Sequence, residues 1–211
     1  MGVGSLTIDD FLARLSSSDP TPGGGALAAL SGAMAAAMLA MVCNLTIGRP
    51  RFAEVENEVR ELLSRCEDLQ RQLLKLADAD AEAYLGVRDA YRLGRDTDAE
   101  QKIRAAAIEE SMHRATEVPV DSARASGVVL DLAVIAARIT NPVALGDVAV
   151  ATHLALGAAR GVADQARMNL STLKDESFVS RMSQQIRRIM EEADVAAAQS
   201  LEDVGRRGRA G

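Results

Sequence analysis

The sequence predicts an all-α fold, an antiparallel bundle of long helices, and three observations carry that prediction. Of 211 residues, 48% are hydrophobic, yet the only aromatic side chains are Phe11, Phe52, Tyr84, Tyr91 and Phe178. A core of Ala, Leu, Val and Met suits closely set helices, whereas strands favour β-branched and aromatic residues. Apolar residues recur at alternating spacings of three and four, and no segment alternates with period two for long enough to read as a strand.

The elements follow in order. Thr7 is a plausible N-cap for a short helix from Ile8 to about Ser17, closed by the polar run Ser16-Ser17-Ser18-Asp19. After Pro20-Thr21-Pro22-Gly23-Gly24-Gly25, the stretch Ala26 to Ile47 holds strong helix formers and meets no breaker before Gly48 and Pro50. From Glu54 to about Leu93, Val55, Val59, Leu62, Cys66, Leu69, Leu73 and Leu76 form a coiled-coil-like seam. Asp96-Thr97-Asp98 ends that helix. A charged helix from Ala99 is expected to stop at Val118, before Pro119, and an apolar one to cover Val120 to Arg138. Asn141-Pro142 supplies an N-cap and a first-turn proline for a helix from Val143 to about Leu170, and an amphipathic helix spans Glu176 to Val204. One domain over residues 1–204 is expected, with a frayed tail at 205–211.

Charge and cysteine usage narrow the function classes. A net charge of −6 with no basic aromatic patch argues against nucleic-acid binding, and pairs such as Arg187-Arg188 and Arg206-Arg207 read as solvated surface. Cys43 and Cys66 lie far apart in apolar helical patterns, as expected of reduced, buried thiols in a cytoplasmic protein. Met1 to Asp10 lacks the basic start and apolar run of a signal peptide. Ala26 to Cys43 is apolar enough to resemble a membrane span, but its Ala and Gly content fits a buried core helix better, so no membrane association is expected.

Several polar residues break the pattern. Continuing the long seam past Leu76 puts Asp80, Ala83 and Val87 on the apolar stripe, so a carboxylate stands where Leu is called for. Such a group must be paired, protonated or facing a cavity, either as an acid–base with a shifted pKa or as half of a buried ion pair. Asp147 is the sole charge in Val143 to Ala151, beside Gly146, and a structural pairing with an Arg is an equal alternative. Asp131 has the same local look. Asn44 closes the apolar run of the glycine-led helix and could orient a ligand or bond a backbone end near Gly48. Gly23, Gly24 and Gly25 expose N–H groups at a helix start, though no phosphate-loop Lys accompanies them. His113 reads as exposed, and His153 lies six residues from Asp147, on a different face. No residue set has metal-ligand spacing, and no Ser or Cys has a nucleophile's neighbours.

The run Pro20 to Met34, followed by Met41-Val42-Cys43-Asn44-Leu45-Thr46-Ile47-Gly48, resembles the signature of the cyclodeaminase and methenyltetrahydrofolate cyclohydrolase family. Asp80-Ala81-Glu82-Ala83-Tyr84, Ala115 to Pro119, and Asn141 through Asp147 to Asn169-Leu170 agree in order and spacing. The resemblance implies an all-helical homodimer that binds a tetrahydrofolate and needs no further cofactor. It implies Asp80, Asp147 and Asn44 as catalytic residues, with Gly23, Gly24, Gly25, Asn141 and Asn169 at the substrate. Arg49 and Arg51 are candidates for the folate's glutamate tail. The expected activity is hydrolysis of 5,10-methenyltetrahydrofolate to 10-formyltetrahydrofolate, with Asp80 moving the proton and Asp147 facing the amidinium-like cation. The alternatives are a formiminotetrahydrofolate cyclodeaminase and a non-catalytic helical dimer. Val143, Gly146 and Gln165 depart from the family's usual Asn, Ser and Asn.

Overall fold

A computed structural model describes residues 2–209, and among them there are helices and turns but no strand. Six α-helices follow one another: α1 (Ile8–Leu15), α2 (Gly24–Asn44), α3 (Glu56–Tyr91), α4 (Asp98–Ile139), α5 (Leu145–Leu170) and α6 (Glu176–Gly208). α2, α4 and α5 pack on one another, α3 lies against α2 and α4, and α6 lies against α4 and α5. The two apolar helices, α2 and α5, run antiparallel: Thr46 hydrogen-bonds Asn141 at one end, and Gly24 sits against Gln165 at the other.

The caps explain where helices begin. Thr7 accepts from the Asp10 N–H at 3.1 Å, as its residue type foretells. Thr97 and Glu100 form a reciprocal capping box that starts α4. Asp175 accepts from the Phe178 N–H at 3.0 Å and starts α6. Boundaries of four of the expected helices move. The glycines Gly24 and Gly25 lie inside α2, whose last helical residue is Asn44. A 3-10 turn, Pro50–Val55, precedes α3, and another, Pro142–Ala144, precedes α5. α6 continues beyond Val204 to Gly208, against the fraying expected from 205, because the Arg207 guanidinium donates to the Ala137 and Thr140 carbonyls; residues 210 and 211 of that expected tail lie outside the described residues.

The larger correction concerns Pro119. Instead of ending a helix, it lies inside α4, which is continuous from Asp98 to Ile139. A mid-helix proline cannot donate to the carbonyl four residues back, which here belongs to Ala115. That oxygen accepts from Asn169 Nδ2 at 2.7 Å instead. The orphan is satisfied by a side chain of α5, and the helix survives its own breaker.

The seam of α3 is real over Val59, Leu62, Cys66, Leu69 and Leu73, all buried, but its next buried residue is Ala77, while Leu76 is half-buried. A straight α-helix drifts about 20° per heptad from a 3.5-residue repeat, so the stripe slides by one position over three heptads. The Cys66 thiol faces Cys43 across the α2–α3 contact; both are free and buried, and that hydrogen bond, with burial, pushes the Cys66 thiol up.

Candidate active site

The drift of the α3 seam leaves Asp80 half-buried at the edge of the core, where it meets the start of α2. The first backbone bond of α2 runs from the Leu27 N–H to the Gly23 carbonyl, so the N–H groups before it are free for other partners. Asp80 accepts from the Ala26 N–H. A side chain at Gly25 would collide with its carboxylate, so this approach of α3 to α2 demands glycine. Loss of hydration on burial raises the Asp80 pKa above the usual carboxylate range, and the Ala26 N–H opposes that rise without cancelling it.

Asp80 opens onto a cavity of about 460 Å³. Pro20, Thr21, Gly23, Gly24 and Gly25 form its α2 side, Ala83, Tyr84 and Val87 its α3 side, Met112 and Ala115 its α4 side, and Gln165, Met168 and Asn169 its α5 side. That volume is in the range of small-molecule sites, and mostly apolar walls with a few fixed polar groups are their usual make-up. The Asn169 amide is oriented by its bond to Ala115, and the Gln165 amide lies so near Gly24 that a Cβ there would come within 2.6 Å of Nε2.

Of the sequence-predicted residues, Asp80, Gly23, Gly24, Gly25 and Asn169 therefore meet in one place. The others gather about 30 Å away, at the far end of α2, by its 1.5 Å rise per residue. Asn141 is buried there, with its N–H on Thr46 Oγ1 (3.0 Å), its Nδ2 on the Leu45 carbonyl (3.3 Å) and its Oδ1 on the Val143 N–H (3.2 Å). Both polar atoms of its amide are engaged where α2 meets the start of α5, far from the Asp80 cavity. Asn44, Arg49 and Arg51 are exposed, and Asp147 is half-buried in the first turn of α5. Asp147 enters none of the ion pairs among the described residues. Within one chain, Asp80 and Asp147 do not share a site.

Sequence reasoning gave no site role to Tyr84, Met112, Gln165 or Met168, although Tyr84 stood in a matching motif and Gln165 as a departure from the family's Asn. Gln165 had a signal, since it continues the helical stripe that runs through Asp147, Val150, Leu154 and Gly161. His113, expected at the surface, stacks on the Phe178 ring at 4.0 Å and 10°. Asp131 lies on α4 in a surface groove with Glu191 and Glu192, and burial followed by Glu192 raises its pKa.

The formiminotransferase-cyclodeaminase family model matches residues 7–188, from the cap of α1 into α6. The chain belongs to that family. A methenyltetrahydrofolate cyclohydrolase of Methylorubrum extorquens is 40% identical over 190 residues, which cover 90% of this chain and 91% of that one. The formimidoyltransferase-cyclodeaminase of Mus musculus is 29% identical over 188 residues, 89% of this chain but 35% of that protein. The solved formiminotetrahydrofolate cyclodeaminase of Thermotoga maritima superposes with a TM-score of 0.88 over 96% of this chain and 98% of that one, at 24% identity, a likeness of fold alone. The all-helical architecture of the family is thus shared by this chain.

Proposed function

We propose that this protein hydrolyses 5,10-methenyltetrahydrofolate to 10-formyltetrahydrofolate, as a cytoplasmic homodimer that uses no metal or redox cofactor. The observation that carries the reading is Asp80: a carboxylate of raised pKa, held at a helix start and open to a cavity of about 460 Å³. Identity of 40% across nearly the whole of a protein named for this activity favours hydrolysis over deamination.

The methenyl carbon bridges N5 and N10 and shares their positive charge. Water adds to it, forming a C–O bond, and Asp80 accepts the water proton; a general base works best when its pKa approaches the working pH. The tetrahedral adduct then collapses: the C–N5 bond breaks, Asp80 returns its proton to N5, and the remaining hydroxyl proton passes to solvent as the formyl C=O forms on N10. Tyr84, Met112 and Met168 offer apolar surface to the ring system, and the Gln165 and Asn169 amides offer polar atoms to its edge.

The same cavity serves the cyclodeaminase reaction, a reading favoured by the 29% identity to the mouse enzyme. There N10 attacks the formimino carbon and ammonia leaves. The test is the loss of methenyltetrahydrofolate absorbance on adding purified protein, in a buffer that slows spontaneous hydrolysis, with formiminotetrahydrofolate and an ammonia assay in parallel. Turnover of the first substrate supports the proposal; turnover of the second alone replaces it with the deaminase, and turnover of neither by folded protein overturns both.

A further inference from the structure

Two helices run the same way past the start of α2. α3 is antiparallel to α2, with Cys66 facing Cys43 and Asp80 at Gly25, and so is α5, with Asn141 at Thr46 and Gln165 at Gly24. α3 and α5 are therefore parallel, and residues an equal number of steps from this meeting point stand at the same level across the cavity. Asp80 and Gln165 form one level, against consecutive glycines whose Cα atoms are about 3.8 Å apart. Tyr84 and Asn169, each four residues further on, form a second level about 6 Å along the helices. Of the amides in the cavity, Gln165 is thus the one that shares a level with Asp80.

The two amides also differ in what they have left to give. Asn169 has engaged its Nδ2 with the Ala115 carbonyl. α5 makes its side-chain hydrogen bonds through Thr152, Arg160, Asp164, Arg167 and Asn169, and Gln165 makes none among the described residues. Its Nε2 is turned to Gly24, where a Cβ would come within 2.6 Å, while Oε1 lies beyond 4 Å of that point. A half-buried amide oxygen without a partner therefore stands on the wall of a cavity that also holds an ionisable carboxylate.

A water that adds to a cation in such a cavity has two protons to place. Asp80 accepts one. As the C–O bond forms, the other becomes more acidic, and between mostly apolar walls it needs an acceptor. An amide oxygen accepts a hydrogen bond but is too weak a base to take the proton, so it does not compete with Asp80. We propose that Gln165 is a second catalytic residue of the hydrolysis, its Oε1 accepting a hydrogen bond from the attacking water and turning a lone pair of that water to the methenyl carbon. Gln165 holds the hydroxyl proton of the adduct until collapse sends it to solvent, and is itself neutral before and after. The edge of the ring system that carries the bridge lies at this level, and the rest of the rings extends toward Tyr84 and Asn169. The inference rests on the cyclohydrolase reading.

The deciding experiment separates an acceptor from a filler of space. Gln165→Met keeps the length and bulk against Gly24 but has no amide oxygen, and Gln165→Asn keeps the oxygen on a side chain shorter by a methylene. With methenyltetrahydrofolate, Gln165→Met should lower kcat by about 10- to 100-fold and leave KM within about threefold, as expected of a contact made to the attacking water. Gln165→Asn should fall between that variant and wild type. Gln165→Glu sets a second carboxylate at the level of Asp80, so the limb of the kcat profile that reports the base should move to higher pH. Calorimetric binding of 5-formyltetrahydrofolate, a stable folate without the bridge, should stay within about threefold of wild type in Gln165→Met, and urea melts check that each variant is folded. A folded Gln165→Met that turns over within about threefold of wild type overturns the inference, as does a loss confined to KM and binding, which would give Gln165 to the rings alone. An unmoved pH profile in Gln165→Glu overturns it too. A wild type silent toward methenyltetrahydrofolate removes the cyclohydrolase reading and this inference with it; an active wild type beside an indifferent Gln165→Met removes the inference alone.

Discussion

At its first turn, α2 hands an N–H to a carboxylate beside a cavity; at its last, the chain just beyond it is bound by a buried amide. Both ends are satisfied by long-range partners, Asp80 from α3 and Asn141 from the α4–α5 turn. The difference lies in what those partners have left. Asn141 is 5% exposed and both polar atoms of its side chain are engaged, so within one chain it holds helices together. Asp80 remains open to the cavity and pays for that position with a raised pKa. A polar residue near a helix end is therefore not a site residue by type; what matters is whether it keeps unspent hydrogen-bonding capacity next to open space.

The comparison breaks most sharply at Asp80. Asp80→Asn should fold, because the amide oxygen can still accept from Ala26, but should lower kcat by about 10²- to 10⁴-fold, read from methenyltetrahydrofolate absorbance. Asn141→Ala should do the reverse, costing about 1–3 kcal/mol of stability in a urea melt through the polar groups it orphans, with little change in kcat per folded molecule. Gly25→Ala lies between them. Its new methyl must displace the Asp80 carboxylate or part α2 from α3, so a loss of about 1–3 kcal/mol in stability should accompany a loss of turnover.

Acid–base behaviour sharpens the contrast. The folded-state pKa of Asp80 lies above its unfolded value, so its contribution to stability is fully present below about pH 4 and is lost as pH rises through the folded value. Stability of the wild type relative to Asp80→Asn should therefore fall as pH rises above about 4, as urea midpoints at several pH values will report. Asp203, at the other end of the molecule, has the opposite sign. Its bond from Arg138 at 2.6 Å holds its pKa down, so its contribution is present above about pH 4 and lost on acidification. A flat difference for Asp80→Asn would mean that burial does not dominate there.

The smallest effect expected is at Pro119. Asn169→Ala should cost about 1–2 kcal/mol by leaving the Ala115 carbonyl unpaired, whereas in a Pro119→Ala background it should cost less, since residue 119 can then donate to that carbonyl itself. Additive melts would show that the two residues are not linked.

Much of this was legible in the residues. Helix periodicity and caps located five of the six helices to within a few positions, and the misfit of Asp80 in an apolar seam marked it as paired, protonated or facing a cavity, of which the structure shows the last. Pro119 misled because the rule that proline ends helices is local, while its remedy, Asn169, lies 50 residues further along the chain. Asp147 was found by the same reasoning as Asp80 but lands at the other end of the bundle, because sequence pattern reports which face of a helix a residue occupies and not which neighbour stands opposite. Gln165 was passed over since an amide on an apolar stripe is a weaker anomaly than a charge.

The bond between Asn169 and the Ala115 carbonyl also bears on how the sequence can change over time. Because Pro119 creates the vacancy that Asn169 fills, residue 169 does not drift freely while Pro119 is kept. A lineage that first replaces Pro119 releases residue 169 from its scaffolding duty and can alter the cavity wall there at little cost; one that starts with Asn169 must first cross a valley of lower stability. The order of substitutions at these two positions would thus govern how readily the pocket is reshaped for a different ligand.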